Sequence, residues 1–174
     1  YAALNPSREV PTLVHRIGGR EQLIGQSIAI IDYLDQIVPE PSLFSDQPIK
    51  RAQILQACEI VNSGIQPLHN LRVLKKLGEK FQATEEQKNE WTRHWISYGL
   101  EAFEKHVAPH ARAFSFGDQP TAADCFLIPN LANADRFQIE LSPYPTLLRI
   151  RKSCDQLPAF VQASPANVPD TPKP

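Results

Sequence analysis

The chain has 174 residues, 42% of them hydrophobic and 21% charged, enough apolar material to build a core in one or two small domains. Its 18 Lys and Arg nearly balance 19 Asp and Glu, leaving a net charge of −1 with no basic block, which argues against binding nucleic acid or an anionic membrane surface. The three cysteines, Cys58, Cys125 and Cys154, are odd in number and widely spaced; they suggest neither a disulfide framework nor a zinc site and fit a reduced, cytoplasmic compartment.

Residues 1–26 read as extended structure and turns. Val10-Pro11-Thr12-Leu13-Val14 is a β-branched run with a proline in it, Gly18-Gly19 is a hairpin turn signal, and Gln22-Leu23-Ile24 is a second short strand. Ser27 is an N-cap type, and Ile28, Ile31, Leu34 and Val38 then recur at helical spacing until Pro39. Pro39, Pro41 and Pro48, with Ser42, Ser45 and Asp46, mark an irregular linker.

Beyond the linker the pattern is helical. Ile54, Cys58, Val61, Ile65 and Leu68 line one face of a helix that Gly64 and Pro67 should bend, with Leu71, Leu74 and Leu77 continuing it. Thr84 and Gln87 have capping-box spacing before a helix whose expected apolar stripe is Trp91, Trp95, Tyr98 and Ala102. Thr121 and Asp124 form a shorter version of that box, ahead of a segment (123–132) apolar nearly all round and therefore expected inside a bundle. Helical pieces near 146–154 and 157–163 precede a proline-rich tail with Pro165, Pro169, Pro172 and Pro174, expected to be extended. The resulting division is 1–41 and 47–174, an αβ piece followed by an all-α domain. The αβ piece is too small for a core of its own. The chain opens at Tyr1 and contains no Met, so an upstream N-terminal segment is expected. No apolar run is long enough to span a bilayer, and the five histidines have no metal-ligand spacing.

The order of these features resembles the soluble glutathione transferases, in which a thioredoxin-like domain precedes a helical one. The carrying residues are Val10-Pro11, Gln26-Ser27 and Thr121-Ala122-Ala123-Asp124. Asn5-Pro6, Gly25 to Ile31, Ile65-Gln66-Pro67-Leu68 with Asn70, Ala132 to Phe137, and Pro143-Tyr144-Pro145-Thr146 resemble the zeta class more narrowly. The resemblance implies glutathione as cofactor, a homodimer, and cis–trans isomerisation of a maleyl keto acid such as maleylacetoacetate. The thiolate adds, the former double bond rotates, and the thiolate leaves. Maleylpyruvate is an alternative substrate, a general transferase or dehalogenase a wider alternative, and a noncatalytic binding module the rival outside catalysis. The Ser/Cys motif that activates the thiol in the family has no counterpart in this chain and is expected upstream of Tyr1.

The resemblance also assigns residues. Pro11 is implied to be cis, turning the Val10 backbone toward the glutathione peptide, whereas by itself Val10-Pro11 is also compatible with an ordinary strand start. Gln26 and Ser27 are implied to hold the γ-glutamyl group, Ser27 being able to cap the helix instead, to bind an anion at its N-terminus, or both. Gln66 and Asn70, four residues apart, can share a helix face beside the implied interdomain cleft or simply face solvent. Arg136, where the family commonly has an arginine, and secondarily Arg72, which the family does not fix, are candidate anchors for substrate carboxylates, a surface ion pair being the plainer role for Arg136. Thr121 and Asp124 are assigned to folding.

Overall fold

The computed structural model describes residues 1–168. The chain forms two compact units, Tyr1–Arg51 and a second from Ala52 onward. In the first, β1 (Thr12–Ile17) and β2 (Arg20–Gly25) pair antiparallel from Thr12 opposite Gly25 to Ile17 opposite Arg20. The two-residue loop has φ of 56° at Gly18 and 75° at Gly19, the left-handed pair that matches the twist of the flanking strands and that glycine adopts without a Cβ clash. Helix α1 (Ser27–Ile37) follows β2 directly. The linker is irregular, as its prolines require, but anchored. Buried Asp35 of α1 accepts from the Leu43 N–H at 2.6 Å and the Ser42 hydroxyl at 3.0 Å, while Arg51 pairs with Asp32 and lies 4.6 Å from the Phe44 ring centroid. Phe44 is the one buried hydrophobic side chain of this unit.

The second unit is helical: α2 (Pro48–Asn62, beginning in the linker), α3 (Leu71–Phe81), α4 (Glu85–Val107), α5 (Ala122–Arg136), α6 (Pro145–Cys154) and α7 (Pro158–Gln162). Ile54, Cys58 and Val61 of α2 meet Ile96, Leu100, Phe103 and Val107 of α4, Leu127 and Leu131 of α5, and Leu147 and Ile150 of α6 in one fully buried core. As its composition predicts, α5 is buried along most of its length. Its start is fixed by Asp124, wholly buried, whose Oδ2 accepts from the Thr121 N–H at 2.7 Å and hydroxyl at 3.1 Å. The other carboxylate oxygen accepts from the Ser115 N–H at 2.9 Å and hydroxyl at 2.6 Å.

Several expectations are corrected. Helix α2 does not bend through Pro67 into a continuation; it stops at Asn62, residues 63–70 form turns, and α3 starts afresh. Gly64 permits the break, since a Cβ there would lie 2.6 Å from the Ile60 carbonyl, and Pro67 has no N–H with which to continue the helix. Along α4 the core stripe is Ile96, Leu100, Phe103 and Val107, not Trp91, Trp95, Tyr98 and Ala102. The indoles sit half-buried on its flank, and Tyr98 is 63% exposed, since amphipathic rings cover an edge better than they fill a centre. Residues Pro165–Asn167 make a 3-10 turn instead of extended chain. Pro169, Pro172 and Pro174 lie outside the described residues.

Candidate functional site

In the first unit the candidate residues gather at the start of α1. Gln26, not Ser27, is the N-cap residue, with φ 70° and ψ 123°, and no side chain caps the helix. Ser27 occupies the first helical position, and its hydroxyl has no hydrogen-bond partner among the described residues. At α3, α4 and α6 side chains cover such ends, whereas short α7 also starts without one. The Asn70 carboxamide accepts the Arg72 N–H at 3.1 Å for α3, and Thr84 and Gln87 close a full capping box for α4. At α6 the Glu104 carboxylate, carried on α4, accepts the Thr146 and Leu147 N–H groups at 3.1 and 3.0 Å. An uncapped helix start keeps its N–H groups and the positive end of its dipole available to an anion.

The loop carrying Val10 is built against this helix start. Buried Asn5 donates through Nδ2 to the Glu9 carbonyl at 2.7 Å and to Thr12 Oγ1 at 3.0 Å, and its Oδ1 accepts from the Ser7 N–H and hydroxyl. Asn5 also packs on Gly25, where a Cβ would come within 3.3 Å of its amide nitrogen. The Val10-Pro11 peptide is cis, Val10 is 80% exposed, and neither its N–H nor its carbonyl is hydrogen-bonded among the described residues. Gln26 Nε2 donates to Glu9 Oε2 at 2.8 Å, tying loop to helix. Sequence reasoning gave Asn5 no role and passed over Glu9; the only available signal was the Asn5-Pro6 pair, since the Glu9–Gln26 contact spans seventeen residues.

In the second unit the turn between α2 and α3 holds Gln66 and Asn70. They do not share a helix face, because the segment between them is not helical and Asn70 is the N-cap of α3. The turn is nevertheless held firmly. Ile65 is wholly buried over Gly99 of α4, where a Cβ would sit 2.2 Å from its side chain, and the Trp91 indole donates to the Leu68 carbonyl at 2.7 Å. Gln66 is half-buried. Burial holds the His69 imidazole below its usual pKa. Arg72 is exposed in the first turn of α3. Arg136 is the exposed last residue of α5, its guanidinium 5.7 Å from the Phe137 ring centroid, and it makes no ion pair among the described residues. The neighbouring Asp135 pairs with Arg151 at 2.6 Å instead.

None of the three thiols suits nucleophilic work. Burial raises Cys58 and Cys154 to about 12 and Cys125 to about 11, with Asp124 adding to the effect in each case. Among the described residues no His, Cys, Asp and Glu group could hold a metal, and no helix is long and apolar enough to cross a membrane.

Residues 99–161 match the glutathione S-transferase C-terminal domain family. The chain is 41% identical over 172 residues to a probable maleylacetoacetate isomerase of Drosophila melanogaster, covering 99% of this chain and 71% of the relative. It superimposes on a crystal structure of maleylacetoacetate isomerase from Anaeromyxobacter dehalogenans, which has glutathione bound in its active site. The TM-score is 0.91 at 43% identity, over 97% of this chain and 76% of the other. A maleyl pyruvate isomerase, a bacterial glutathione transferase of the zeta class, gives a TM-score of 0.90 at 39% identity, over 98% and 80% of the two chains.

Proposed function

The chain belongs to the zeta-class glutathione transferase family, and from that premise we propose that it serves the glutathione-dependent cis–trans isomerisation of maleylacetoacetate to fumarylacetoacetate. The observation that carries this reading is the start of α1, a helix N-terminus that, among the described residues, has no side-chain cap and lies beside a serine hydroxyl with no hydrogen-bond partner. Such an end fits the γ-glutamyl carboxylate of glutathione, with Ser27 and the first-turn N–H groups as donors. The N–H and carbonyl of Val10, unpaired among the described residues and presented next to the cis Pro11, fit the extended peptide of the same molecule, as an added strand edge would.

Bound glutathione supplies a thiolate that adds to the conjugated double bond, permits rotation about it, and departs. The chain's own part is to hold and to orient. Val10, Pro11, Gln26 and Ser27 fix glutathione, and Gln66 and Asn70 add amide contacts, Asn70 through its nitrogen because its oxygen caps α3. Arg136, with Arg72 second, meets the substrate carboxylates, and its lack of an ion pair among the described residues leaves that charge for a ligand. A homodimer in the same reading, with the helices around residues 49–77 meeting the partner as the family resemblance implies, is supported by Ile49 and Leu71, 74% and 82% exposed on that stretch. A reducing, cytoplasmic setting suits the three free cysteines.

The likeness to maleylpyruvate isomerase is nearly as strong, so the test offers both substrates to the full-length protein with and without glutathione. Glutathione-dependent turnover of maleylacetoacetate is expected, and turnover of maleylpyruvate alone would shift the assignment to that acid. No turnover of either would leave a binding module. By calorimetry, Ser27→Ala should weaken glutathione binding by about 1–2 kcal/mol, a charge-assisted hydrogen bond. Unchanged affinity would remove Ser27 from the site.

A further inference from the structure

The contact between Glu9 and Gln26 has a chemical consequence that neither residue has alone. A carboxylate only accepts hydrogen bonds, so the Gln26 side chain must turn its NH2 toward Glu9 Oε2, 2.8 Å away. Its Oε1 is left as an acceptor without a partner among the described residues. The arrangement is anchored from both sides. The Glu9 carbonyl accepts from both the Tyr1 hydroxyl and Asn5 Nδ2, which fixes the backbone that presents the carboxylate. Gln26 is held at φ 70°, a conformation that non-glycine residues rarely adopt, at the N-cap of α1.

We infer that Glu9 is a positioning residue for the α-amino group of the ligand, holding the Gln26 amide so that Oε1 accepts from the γ-glutamyl ammonium. This rests on the reading that Ser27 and the start of α1 take the adjoining carboxylate. In an α-amino acid the ammonium is one carbon away from that carboxylate, so it falls beside the residue preceding Ser27, which is Gln26. An amide free to flip would offer its NH2 to the ammonium half the time; Glu9 removes that state. The negative charge of Glu9 adds attraction for the same cation.

The test uses calorimetry on the full-length protein with two ligands, glutathione and its deamino analogue, which keeps the carboxylate and lacks the ammonium. Glu9→Ala should weaken glutathione by about sixfold, about twofold for the amide orientation no longer selected and about threefold for the lost carboxylate charge near the ammonium, and the analogue by less than about twofold. Glu9→Gln, whose own amide oxygen can still accept from Gln26, should stay within about threefold of wild type for glutathione. Gln26→Glu sets two carboxylates against each other and should weaken glutathione; adding Glu9→Gln restores a donor–acceptor pair and should recover it. Wild-type glutathione affinity in Glu9→Ala, equal losses for both ligands, Glu9→Gln as weak as Glu9→Ala, or no recovery in the swapped pair would each overturn the role of Glu9. Failure of the wild-type protein to bind glutathione would instead overturn the reading on which it rests, and this inference with it.

Discussion

Replacing Asp124 by Ala should be among the most damaging single changes in the helical unit, and its cost can be worked from the contacts. The carboxylate is wholly buried and accepts four hydrogen bonds, two from main-chain N–H groups (Ser115 and Thr121) and two from hydroxyls. The hydroxyls can rotate toward other acceptors, but the N–H groups cannot. Leaving each unpaired costs about 1–3 kcal/mol, and the carboxylate's own bonds are charge-assisted, so the sum is about 3–4 kcal/mol. Asp124→Asn keeps one acceptor oxygen but turns an NH2 toward the remaining N–H donor, so its loss should fall within about 1 kcal/mol of the alanine variant. The assay is urea unfolding followed by tryptophan fluorescence, which reports this unit because both tryptophans lie on α4. With a slope of about 2 kcal/mol per molar, the midpoint should drop by about 1.5–2 M. A loss under about 1 kcal/mol for alanine, or wild-type stability for asparagine, would refute the reasoning that the ionised carboxylate organises this end of α5.

Three further outcomes follow from particular contacts. Gly99→Ala drives a methyl into Ile65 at 2.2 Å, so it should destabilise by about 1–3 kcal/mol in the same urea assay, and Ile65→Val in the same chain should recover part of the loss. Because burial raises the folded thiols to about 11–12, all three are protonated in both states below the unfolded pKa near 8.5; as pH rises past it, the unfolded chain releases protons that the folded chain retains. Stability should therefore fall above about pH 9, by up to about 1.4 kcal/mol per pH unit for each thiol, and iodoacetamide at pH 8 should label native protein far more slowly than denatured protein. Flat stability from pH 8 to 10 would contradict the burial argument. Arg136→Ala should lower kcat/KM for the dianionic substrate by about ten- to a hundredfold while sparing a neutral aromatic electrophile; equal losses on both would mean that Arg136 supports structure or glutathione binding.

Much of the candidate site was legible because its signals are short-range. Val10-Pro11 and Gln26-Ser27 lie within two residues of the features that explain them, a strand start and a helix start. What remained hidden was which of Gln26 and Ser27 serves as cap. Both fit the pattern, and the answer depends on where β2 delivers the chain, which leaves Gln26 at positive φ and Ser27 already helical. Gln66 and Asn70 were misplaced for a related reason. Their spacing suits a helix face, but the helix breaks at Gly64 and Pro67, and the packing of Ile65 over Gly99 and of Trp91 on Leu68 holds the turns that result.

By itself the amino-acid sequence determined whatever a few neighbouring residues can settle among themselves. The Gly18-Gly19 loop selects the hairpin, Thr84 with Gln87 and Thr121 with Asp124 start their helices, and the spacing of Ile54, Cys58, Val61 and Ile65 declares a buried face. These are backbone preferences and caps, complete within about one turn of chain. The tertiary structure decided whatever needed two distant segments. Ile96, Leu100, Phe103 and Val107 rather than the tryptophans face the core, because two apolar stripes run along α4 and only its neighbours choose between them. Glu104 caps α6 from more than forty residues away, and Glu9 orients Gln26 across a hairpin. A hydrogen bond between remote residues leaves no period in the sequence, since its geometry exists only after the intervening chain has folded.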